Sequence, residues 1–402
     1  MVASVALFGG ATAAEAGVSQ QGRVVRVVDG DTVAVDVWGD GTTIPVVIRN
    51  AGLQAMEVGQ CHAGEATDSM YELTLGRVVT LTAKSADSYS LARPIRFVDV
   101  QYGMTTIDTA LEIIRRGEAL WLVMPPEDWR AQTYHLAMEE AAAAKAGPLW
   151  VNDDCGYGPS QWANLKLWVN YDGDGDDARN PNTEYIRVLN RGSSAVGVGG
   201  WHLRSAGPDV YTIPAGVSIP AGGTLTLRMG SGTNTSSTLY WGLTTSKFPN
   251  VYPPPGSVGS GGYLFDPDGD IRAHATYPCV YRCSDPAVGK VALRANYDAP
   301  GDDMLNPNGE YLDITNTSST AVDLSYHVVQ VGGSTIEFGK GSVLSGLGSR
   351  IRVYVGQGTT TTSTVKYWGK TSAIMVNTGG SAFLRTTEGL TIACTSWGTG
   401  SC

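Results

Sequence analysis

The sequence predicts a multidomain, mainly β protein in which a small β-barrel with appended helices (α+β) precedes two β-sandwiches. Its 402 residues fit two to four domains. Glycine is abundant, at 51 residues, whereas charged residues are only 16%, and short alternating runs are separated by Gly, Pro, Asn and Ser. The second half of the chain also repeats itself, which divides it into two similar units.

Residues 17–150 carry the barrel pattern. The strand-like runs are Gly22–Val28, Thr32–Val37, Thr43–Ala51, Val78–Thr82 and Ile95–Val100. The helix-like runs are about Gly64–Leu75, Ile107–Arg116 and Trp129–Ala146. Five strands with helices inserted and appended are typical of an OB-fold barrel.

The repeat follows a constant shift of 126 residues. The matched pairs are Asn170-Tyr171-Asp172 with Asn296-Tyr297-Asp298, Gly175-Asp176-Asp177 with Gly301-Asp302-Asp303, Asn180-Pro181-Asn182 with Asn306-Pro307-Asn308, Glu184-Tyr185 with Glu310-Tyr311, and Asn190 with Asn316. The strand-like runs are Leu165–Asn170, Glu184–Leu189, Thr224–Arg228, Val291–Tyr297, Tyr311–Thr315 and Arg350–Val355. Two units of roughly 110 to 125 residues with no helical pattern predict two antiparallel sandwiches.

These repeated residues resemble those of lamin-tail domains, which are immunoglobulin-like β-sandwiches found in many exported bacterial proteins. The resemblance covers about Asn164–Cys279 and Gly289–Cys402, and in the second unit Tyr326 stands where the first has Trp201. It implies accessory modules that bind a cell surface, a polymer or the substrate. The expected organisation is a signal-peptide remnant at 1–16, the barrel at 17–150, a linker at 151–163, one lamin-tail domain at 164–279, a linker at 280–288 and another lamin-tail domain at 289–402.

An acidic loop in the first sandwich has the D-x-D-x-D spacing of some calcium sites, at Asp172, Asp174 and Asp176. An EF-hand loop requires Gly at position 6 and Glu at position 12, where this chain has Asp177 and Thr183. We therefore favour an Asx-rich turn, with a looser calcium site at Asp172, Asp176 and Asp177 as the alternative.

The N-terminus reads as the second half of a secretory signal peptide, a short apolar run that ends in small residues around Ala11-Thr12-Ala13. No other stretch approaches the roughly 20 apolar residues that span a membrane. The expected protein is secreted, extracellular and monomeric, without a transmembrane segment.

Six cysteines in an exported chain predict disulfides. If the first and last strands of the sandwich run parallel, its ends lie at opposite poles, too far apart for a Cys155–Cys279 bridge. Local closures are therefore expected, namely Cys61–Cys155, Cys279–Cys283 and Cys394–Cys402. His62, next to the first cysteine, is expected to be a loop or surface residue.

The net charge of −10 excludes a general DNA-coating role, because sequence-independent affinity for nucleic acid comes from Lys and Arg. Residues 17–150 alone carry 11 basic and 17 acidic side chains, a net charge of −6. A catalytic site with two or three arginines stays compatible with this charge.

The barrel segment contains a series of motifs in a specific order. They are Asp29-Gly30-Asp31-Thr32-Val33, then Arg49 with Glu57 eight residues later, Tyr89 to Arg93 before the fifth strand, and a closing Gly147-Pro148-Leu149-Trp150. This order resembles the staphylococcal (thermonuclease-type) nuclease family across about Arg23–Trp150.

The resemblance implies a nuclease that hydrolyses phosphodiester bonds of DNA or RNA with the help of calcium. Position by position, Asp31, Gln54 and the backbone carbonyl of Ala55 would hold the cation. Glu57 would act on the attacking water, and Tyr89 would contact the nucleotide. Arg49 and Arg93 would clamp the phosphate, a role that suits fixed guanidinium donors.

Two departures from the family pattern bear on this expectation. Gln54 stands where the family has a second metal-binding aspartate, which predicts weaker calcium binding because affinity follows ligand charge. Asp29, Asp36 or the Cys61-His62 loop are candidate replacements. Two extra residues also lie between Tyr89 and Arg93, so that Arg96 is an alternative phosphate ligand. The rival hypothesis is a catalytically impaired barrel that serves as an extracellular or surface binding scaffold.

Overall fold

The computed structural model describes residues 17–151, 153–156, 163–250 and 258–402. The chain forms two compact units, one mainly from residues up to 157 and one mainly from the residues after it. The expected signal segment, residues 1–16, lies outside the described residues. Within the described part of the chain, no helix is long and apolar enough to cross a membrane.

The first unit contains nine strands and three α-helices among its described residues. In chain order they are β1 (Val18–Asp29), β2 (Thr32–Val37), β3 (Val46–Asn50), β4 (Leu53–Gln54), α1 (Ala63–Thr74), β5 (Val78–Ala83), β6 (Tyr89–Ser90), β7 (Arg93–Tyr102), β8 (Thr105–Asp108), α2 (Thr109–Arg115), β9 (Leu120–Trp121) and α3 (Ala131–Ala144). The five predicted strands and three predicted helices are all present, with ends shifted by a few residues.

The sheet of this unit closes into a barrel. Its strands follow the order β3-β2-β1-β5-β7, and β3 returns to pair in parallel with β7 through Arg49 opposite Ile95. Closure on five strands confirms the expected OB-fold barrel. Inward-facing aliphatic residues such as Val24, Val35 and Leu81 are fully buried, as the alternating pattern requires.

The appended helices are held against the barrel by a buried polar cluster. Asp108 caps α2 by accepting from the Leu111 amide at 3.1 Å. The same carboxylate accepts from the hydroxyl of Tyr134 on α3 at 2.6 Å. Arg130, at the start of α3, donates to both Asp99 and Asp108. This cluster fixes the helices that lie behind β7, and its members are all used structurally.

The second unit contains two sandwiches with the same strand order. The first is built from β10 (Leu165–Asn170), β11 (Tyr185–Asn190), β12 (Val196–Gly197), β13 (His202–Ser205), β14 (Val210–Thr212), β15 (Ser218–Ile219), β16 (Thr224–Arg228), β17 (Thr238–Tyr240), β18 (Ser260–Phe265) and β19 (Ile271–Tyr277). The second is built from β20 (Val291–Asn296), β21 (Tyr311–Asn316), β22 (Val322–Asp323), β23 (Val328–Val331), β24 (Ser334–Glu337), β25 (Val343–Leu344), β26 (Arg350–Tyr354), β27 (Val365–Tyr367), β28 (Gly379–Arg385) and β29 (Thr391–Gly398).

Each sandwich has two four-stranded sheets and a short two-stranded ribbon. The order β10-β11-β16-β17 in one sandwich corresponds to β20-β21-β26-β27 in the other, and β14-β13-β18-β19 corresponds to β24-β23-β28-β29. The apolar side chains of each sandwich form a core of their own. The expected pair of β-sandwiches is confirmed.

The polar residues that mark the repeat stabilise turns. Asn190 donates to the carbonyls of Ser194 and Ile219, and Asn316 makes the matching bonds to Thr320 and Leu344. Glu184 accepts from the amides of Lys247 and Phe248, as Glu310 does from Ile374 and Met375. Buried turn amides need such partners, so the repeated residues are explained by the fold.

The expected match of Tyr326 with Trp201 is wrong by one residue. The amide of Gly200 donates to Ile213 O at 2.9 Å, and it is the amide of Tyr326 that makes the equivalent bond to Phe338 O at 2.7 Å. Trp201 therefore matches His327. Both Gly200 and Tyr326 have left-handed backbone, with φ of 85° and 68°. The Tyr326 ring packs on Trp168 at a centroid distance of 4.9 Å, a contact that holds the unfavourable backbone in place.

The acidic loop of the first sandwich is joined to the second sandwich. Asp172 accepts from the Gln330 amide, and its own carbonyl accepts from the Thr335 hydroxyl at 3.2 Å. Asp174 accepts from the Thr335 amide at 3.1 Å and from Lys370 Nζ at 2.7 Å. Asp172 and Asp174 therefore take part in the contact between the two sandwiches, whereas the calcium alternative at Asp172, Asp176 and Asp177 stays a prediction.

The three expected disulfides are confirmed as Cys61–Cys155, Cys279–Cys283 and Cys394–Cys402. His62 differs from expectation, because it is only 4% exposed and its Nε2 lies 2.9 Å from Cys155 Sγ. Cys61, His62 and Cys155 are close enough to share a metal ion, but cysteines joined in a disulfide offer no thiolate ligand.

Candidate active site

Neighbouring strands bring the predicted site residues to one end of the barrel. Asp31 lies in the tight turn between β1 and β2, and Arg49 lies at the end of β3. The pairing of β2 with β3 sets Thr32 opposite Arg49, and the Asn50 amide donates to the Asp31 carbonyl at 2.8 Å. The register of two adjacent strands therefore places the carboxylate and the guanidinium side by side.

Asp31 and Arg49 form a buried ion pair at the centre of the site. Arg49 Nη2 is 3.1 Å from Asp31 Oδ2. The guanidinium also donates to the carbonyls of Asn50 at 2.8 Å and Leu53 at 2.9 Å, which fixes its plane. Burial and the neighbouring charge of Asp29 raise the pKa of Asp31 to about 6, although Arg49 opposes the shift.

Gln54 lies at the centre of the site and uses both the oxygen and the nitrogen of its side-chain amide. Its Oε1 accepts from Arg49 at 2.9 Å, while its Nε2 donates to the Ala55 carbonyl and to Glu57 Oε1, each at 3.0 Å. Arg49 can only donate, and the Ala55 carbonyl and Glu57 carboxylate can only accept, so this network sets the orientation of the amide. Gln54 thus presents a donor to the two groups that the family resemblance assigns to the cation and the water.

Arg93 faces the same site in spite of the two extra residues before it. Its Nη1 donates to the Thr32 hydroxyl at 3.1 Å. Arg96 is only 5% exposed and donates to the carbonyls of Ile95, Ser88 and Ala86, which assigns it a structural role instead of the alternative phosphate contact. Tyr89 is 54% exposed on β6, opposite Pro94 of β7.

A cavity of about 300 Å³ opens beside these groups. Its polar lining includes Asp29, Asp31, Arg49, Gln54, Glu57 and Arg93. Its apolar lining includes Met56, Val58, Leu91, Leu122 and Met124. These apolar residues carry no motif in the sequence that marks them as part of the site. The insertion before Arg93 was the available signal for Leu91.

The oxygen atoms of this site are the type of ligand that a hard cation such as calcium binds. Carboxylate, carbonyl and amide oxygens are the ligands that calcium takes, and Asp31 carries a raised pKa beside a second carboxylate, Asp29. The amide nitrogen of Gln54 lies on the Ala55 carbonyl, so this amide must turn away before that carbonyl can bind a cation. The residues fit the cation with one carboxylate fewer than the family pattern.

A closed OB-fold barrel with two arginines and three carboxylates around one cavity is typical of a nuclease-type domain. Comparison with known proteins agrees. The chain is 31% identical over 147 residues to micrococcal nuclease of Shigella flexneri, a match that covers 35% of this chain and 79% of that protein. The chain belongs to the micrococcal nuclease family, and residues 168–279 match the Lamin Tail Domain family.

Proposed function

We propose that this protein is a secreted, calcium-assisted nuclease that hydrolyses phosphodiester bonds of DNA or RNA. The convergence of Arg49, Arg93, Asp31 and Glu57 on one open cavity is the observation that carries the proposal. The family relationship supplies the reaction class.

In this proposal the two arginines hold the substrate phosphate. Arg49 is oriented by two backbone carbonyls and Arg93 by the Thr32 hydroxyl, so both donors are placed before the substrate arrives. Fixed donors stabilise the negative charge that develops on phosphoryl oxygens in the transition state. Glu57 lines the same cavity, and its carboxylate would orient the attacking water and accept its proton.

Calcium would be held by Asp31, the Ala55 carbonyl and the amide oxygen of Gln54. When bound, it would neutralise charge on the phosphate. Gln54 offers no charge, so the proposal includes weak calcium binding.

The proposal is tested with the full-length protein, heat-denatured DNA, and either calcium or a chelator. Calcium-dependent cleavage by the wild-type protein is the expected result. Gln54→Asp restores a carboxylate, and we expect it to tighten calcium binding about tenfold in calorimetry. If neither protein cleaves DNA while a control nuclease does, the enzyme proposal is wrong.

The alternative is a catalytically impaired scaffold that binds at the cell surface or outside the cell. Two observations favour it, the Gln54 amide nitrogen on the Ala55 carbonyl and the net charge of −6 over residues 17–150. The alternative predicts that Asp31→Asn leaves the calcium-binding isotherm of the full-length protein unchanged. Cleavage by Gln54→Asp alone would also support it.

The sandwiches complete the proposal as accessory modules for a cell-surface or polymer ligand. The three disulfides support an extracellular location, because such bonds persist in oxidising compartments. We propose a monomer, which light scattering of the full-length protein checks directly.

A further inference from the structure

Three side chains of the metal-ligand type meet at the N-terminal end of α1. His62 is the N-cap of this helix, and Glu65 lies in its first turn. His62 Nδ1 is 3.6 Å from Glu65 Oε1 and 3.9 Å from Asp154 Oδ2, and the three ligand atoms all lie within 4.8 Å of one another. Among the described residues, the lining of the cavity of about 300 Å³ in the barrel includes none of these side chains. They therefore form a cluster separate from the candidate active site.

The disulfide Cys61–Cys155 holds this cluster together. It joins the residue before His62 to the residue after Asp154, across a sequence separation of 94 residues. Glu65 lies three residues after His62, a spacing that brings both side chains to one side of the helix. A covalent bond and a helical turn thus fix three groups from two distant segments, as a metal site requires of its ligands.

The surroundings of His62 leave one of its ring nitrogens facing the two carboxylates. The residue is only 4% exposed, and its Nε2 lies 2.9 Å from Cys155 Sγ. A disulfide sulfur has no proton to donate, so Nε2 carries the hydrogen and Nδ1 of the neutral imidazole keeps a lone pair. Nδ1 is buried and has no hydrogen-bond partner in the described part of the chain. A lone pair that faces two carboxylates is repelled unless a cation lies between them.

That cation is either a proton on Nδ1 or a metal ion, and the distances discriminate between the two. A protonated Nδ1 would donate a hydrogen bond to a carboxylate at about 2.7–3.2 Å. Two ligands that are each about 2.0–2.2 Å from one four-coordinate ion lie about 3.3–3.7 Å apart. The separations of 3.6 and 3.9 Å exceed the hydrogen-bond range and are close to the range for ligands that share an ion.

We propose that His62 Nδ1, Glu65 and Asp154 bind a zinc ion, with water as its fourth ligand. Zinc accepts imidazole nitrogen together with carboxylate oxygen, whereas calcium takes oxygen ligands. This site therefore differs in chemistry from the calcium site of the proposed nuclease, and it does not depend on that proposal. Zinc stabilises the first unit, because only the folded chain brings the three ligands together.

The test is isothermal titration calorimetry of the full-length protein, with its disulfides intact, against zinc chloride. We expect one zinc ion to bind through His62 and the melting temperature to rise with zinc. His62→Asn removes the imidazole and keeps the fold, because asparagine tolerates the left-handed backbone of this position, with φ of 68°. We expect His62→Asn and Asp154→Asn each to weaken this binding at least about 100-fold, more than the loss of an outer-shell partner costs.

Two variants serve as controls. Asp68→Asn removes an exposed carboxylate of the same helix and should leave zinc binding unchanged. Asp31→Asn should leave it unchanged as well, which separates this ion from one bound in the barrel cavity. Equal zinc affinity of the wild-type protein and His62→Asn, or no zinc binding by the wild-type protein, would overturn the inference.

Reduction of the disulfides gives a further discriminating result. Zinc binding that appears only after treatment with a dithiol would make the thiolates of Cys61 and Cys155 the ligands, and the inference would be wrong. Unchanged zinc affinity of Asp154→Asn would also contradict it. The nuclease proposal is judged independently of these outcomes, because its readout is calcium-dependent cleavage of DNA.

Discussion

Two buried aspartates, Asp31 in the barrel and Asp172 in the first sandwich, are alike by most local measures. Each is 6% exposed, and burial raises the pKa of each to about 6. Asp31 pairs with Arg49 beside a cavity of about 300 Å³. Asp172 accepts from Gln330, and the cavity at its side is about 20 Å³, room for one water. A raised pKa therefore does not distinguish a candidate catalytic site from a packed contact between sandwiches, whereas the size of the adjoining cavity does.

The largest effect on activity is expected when the carboxylate of Glu57 in the barrel site is removed. Glu57→Gln keeps the acceptor for Gln54 but removes the charge that would accept the proton of the water. We expect the cleavage rate to fall by about 10² to 10⁴ with an unchanged melting temperature. The measurement is the rate on heat-denatured DNA with saturating calcium.

Glu140→Gln on the exposed face of α3 is the control for Glu57→Gln. Its rate should equal that of the wild-type protein. If Glu57→Gln also retained the full rate, the cavity would not be the catalytic site, and the contrast with Asp172 would lose its meaning.

A smaller effect, on stability alone, is expected at the joint between the sandwiches. Glu337 accepts from the Tyr185 hydroxyl and from Arg187, whose guanidinium lies 5.5 Å from the centroid of the Trp168 ring. Glu337→Gln leaves Arg187 largely buried without its counter-charge, and we expect the second unit to lose about 2 kcal/mol of unfolding free energy. Urea denaturation followed by tryptophan fluorescence measures the loss.

Cleavage of DNA by Glu337→Gln should match the wild-type rate. The control is Asp176→Asn, because Asp176 belongs to the acidic loop but is mostly exposed, and its ion pair with Arg179 contributes little. Equal stability of Glu337→Gln and Asp176→Asn would mean that the joint does not depend on this buried charge pair.

The sequence was sufficient where the signal is local. The strand Thr32–Val37 was predicted with the ends that the structure shows. Its pairing with the next strand places Asp31 beside Arg49, so this part of the candidate site was predictable. The match of Tyr326 was missed although the repeat shift of 126 residues pairs it with Gly200, because Tyr326 resembles the aromatic Trp201 and not a glycine. The turn bonds show that Gly200 is its counterpart.

Contacts between residues far apart in the sequence could not be predicted from the local pattern of apolar and polar residues either. Asp172 contacts Gln330 across 158 residues, and that contact assigns Asp172 to the packing between the sandwiches. The left-handed backbone of Leu91 and Ala92, with φ of 48° and 65°, was not predictable for a different reason. Neither residue type indicates such angles, and the two-residue turn follows only from the pairing of Ser90 with Arg93.

The smallest effect, and the one with a pH signature, is expected from Asp172→Asn. The folded pKa of about 6 lies above the usual 3.8, so the native protein holds this proton more tightly than the unfolded chain does. The stability that the proton contributes is complete below about pH 4 and is lost as the pH rises through 6.

The substituted amide of Asp172→Asn carries no charge and still offers an oxygen to Gln330. We therefore expect the variant to be more stable than the wild-type protein by about 1 kcal/mol at pH 8, with the difference shrinking by pH 5. Urea denaturation at both pH values measures the difference in unfolding free energy, with Asp176→Asn as the control for loss of a carboxylate from the same loop. A variant less stable than the wild-type protein at pH 8 would show that the ionised carboxylate stabilises the joint, which would make Asp172 a paired charge like Asp31 and remove the contrast between the two regions.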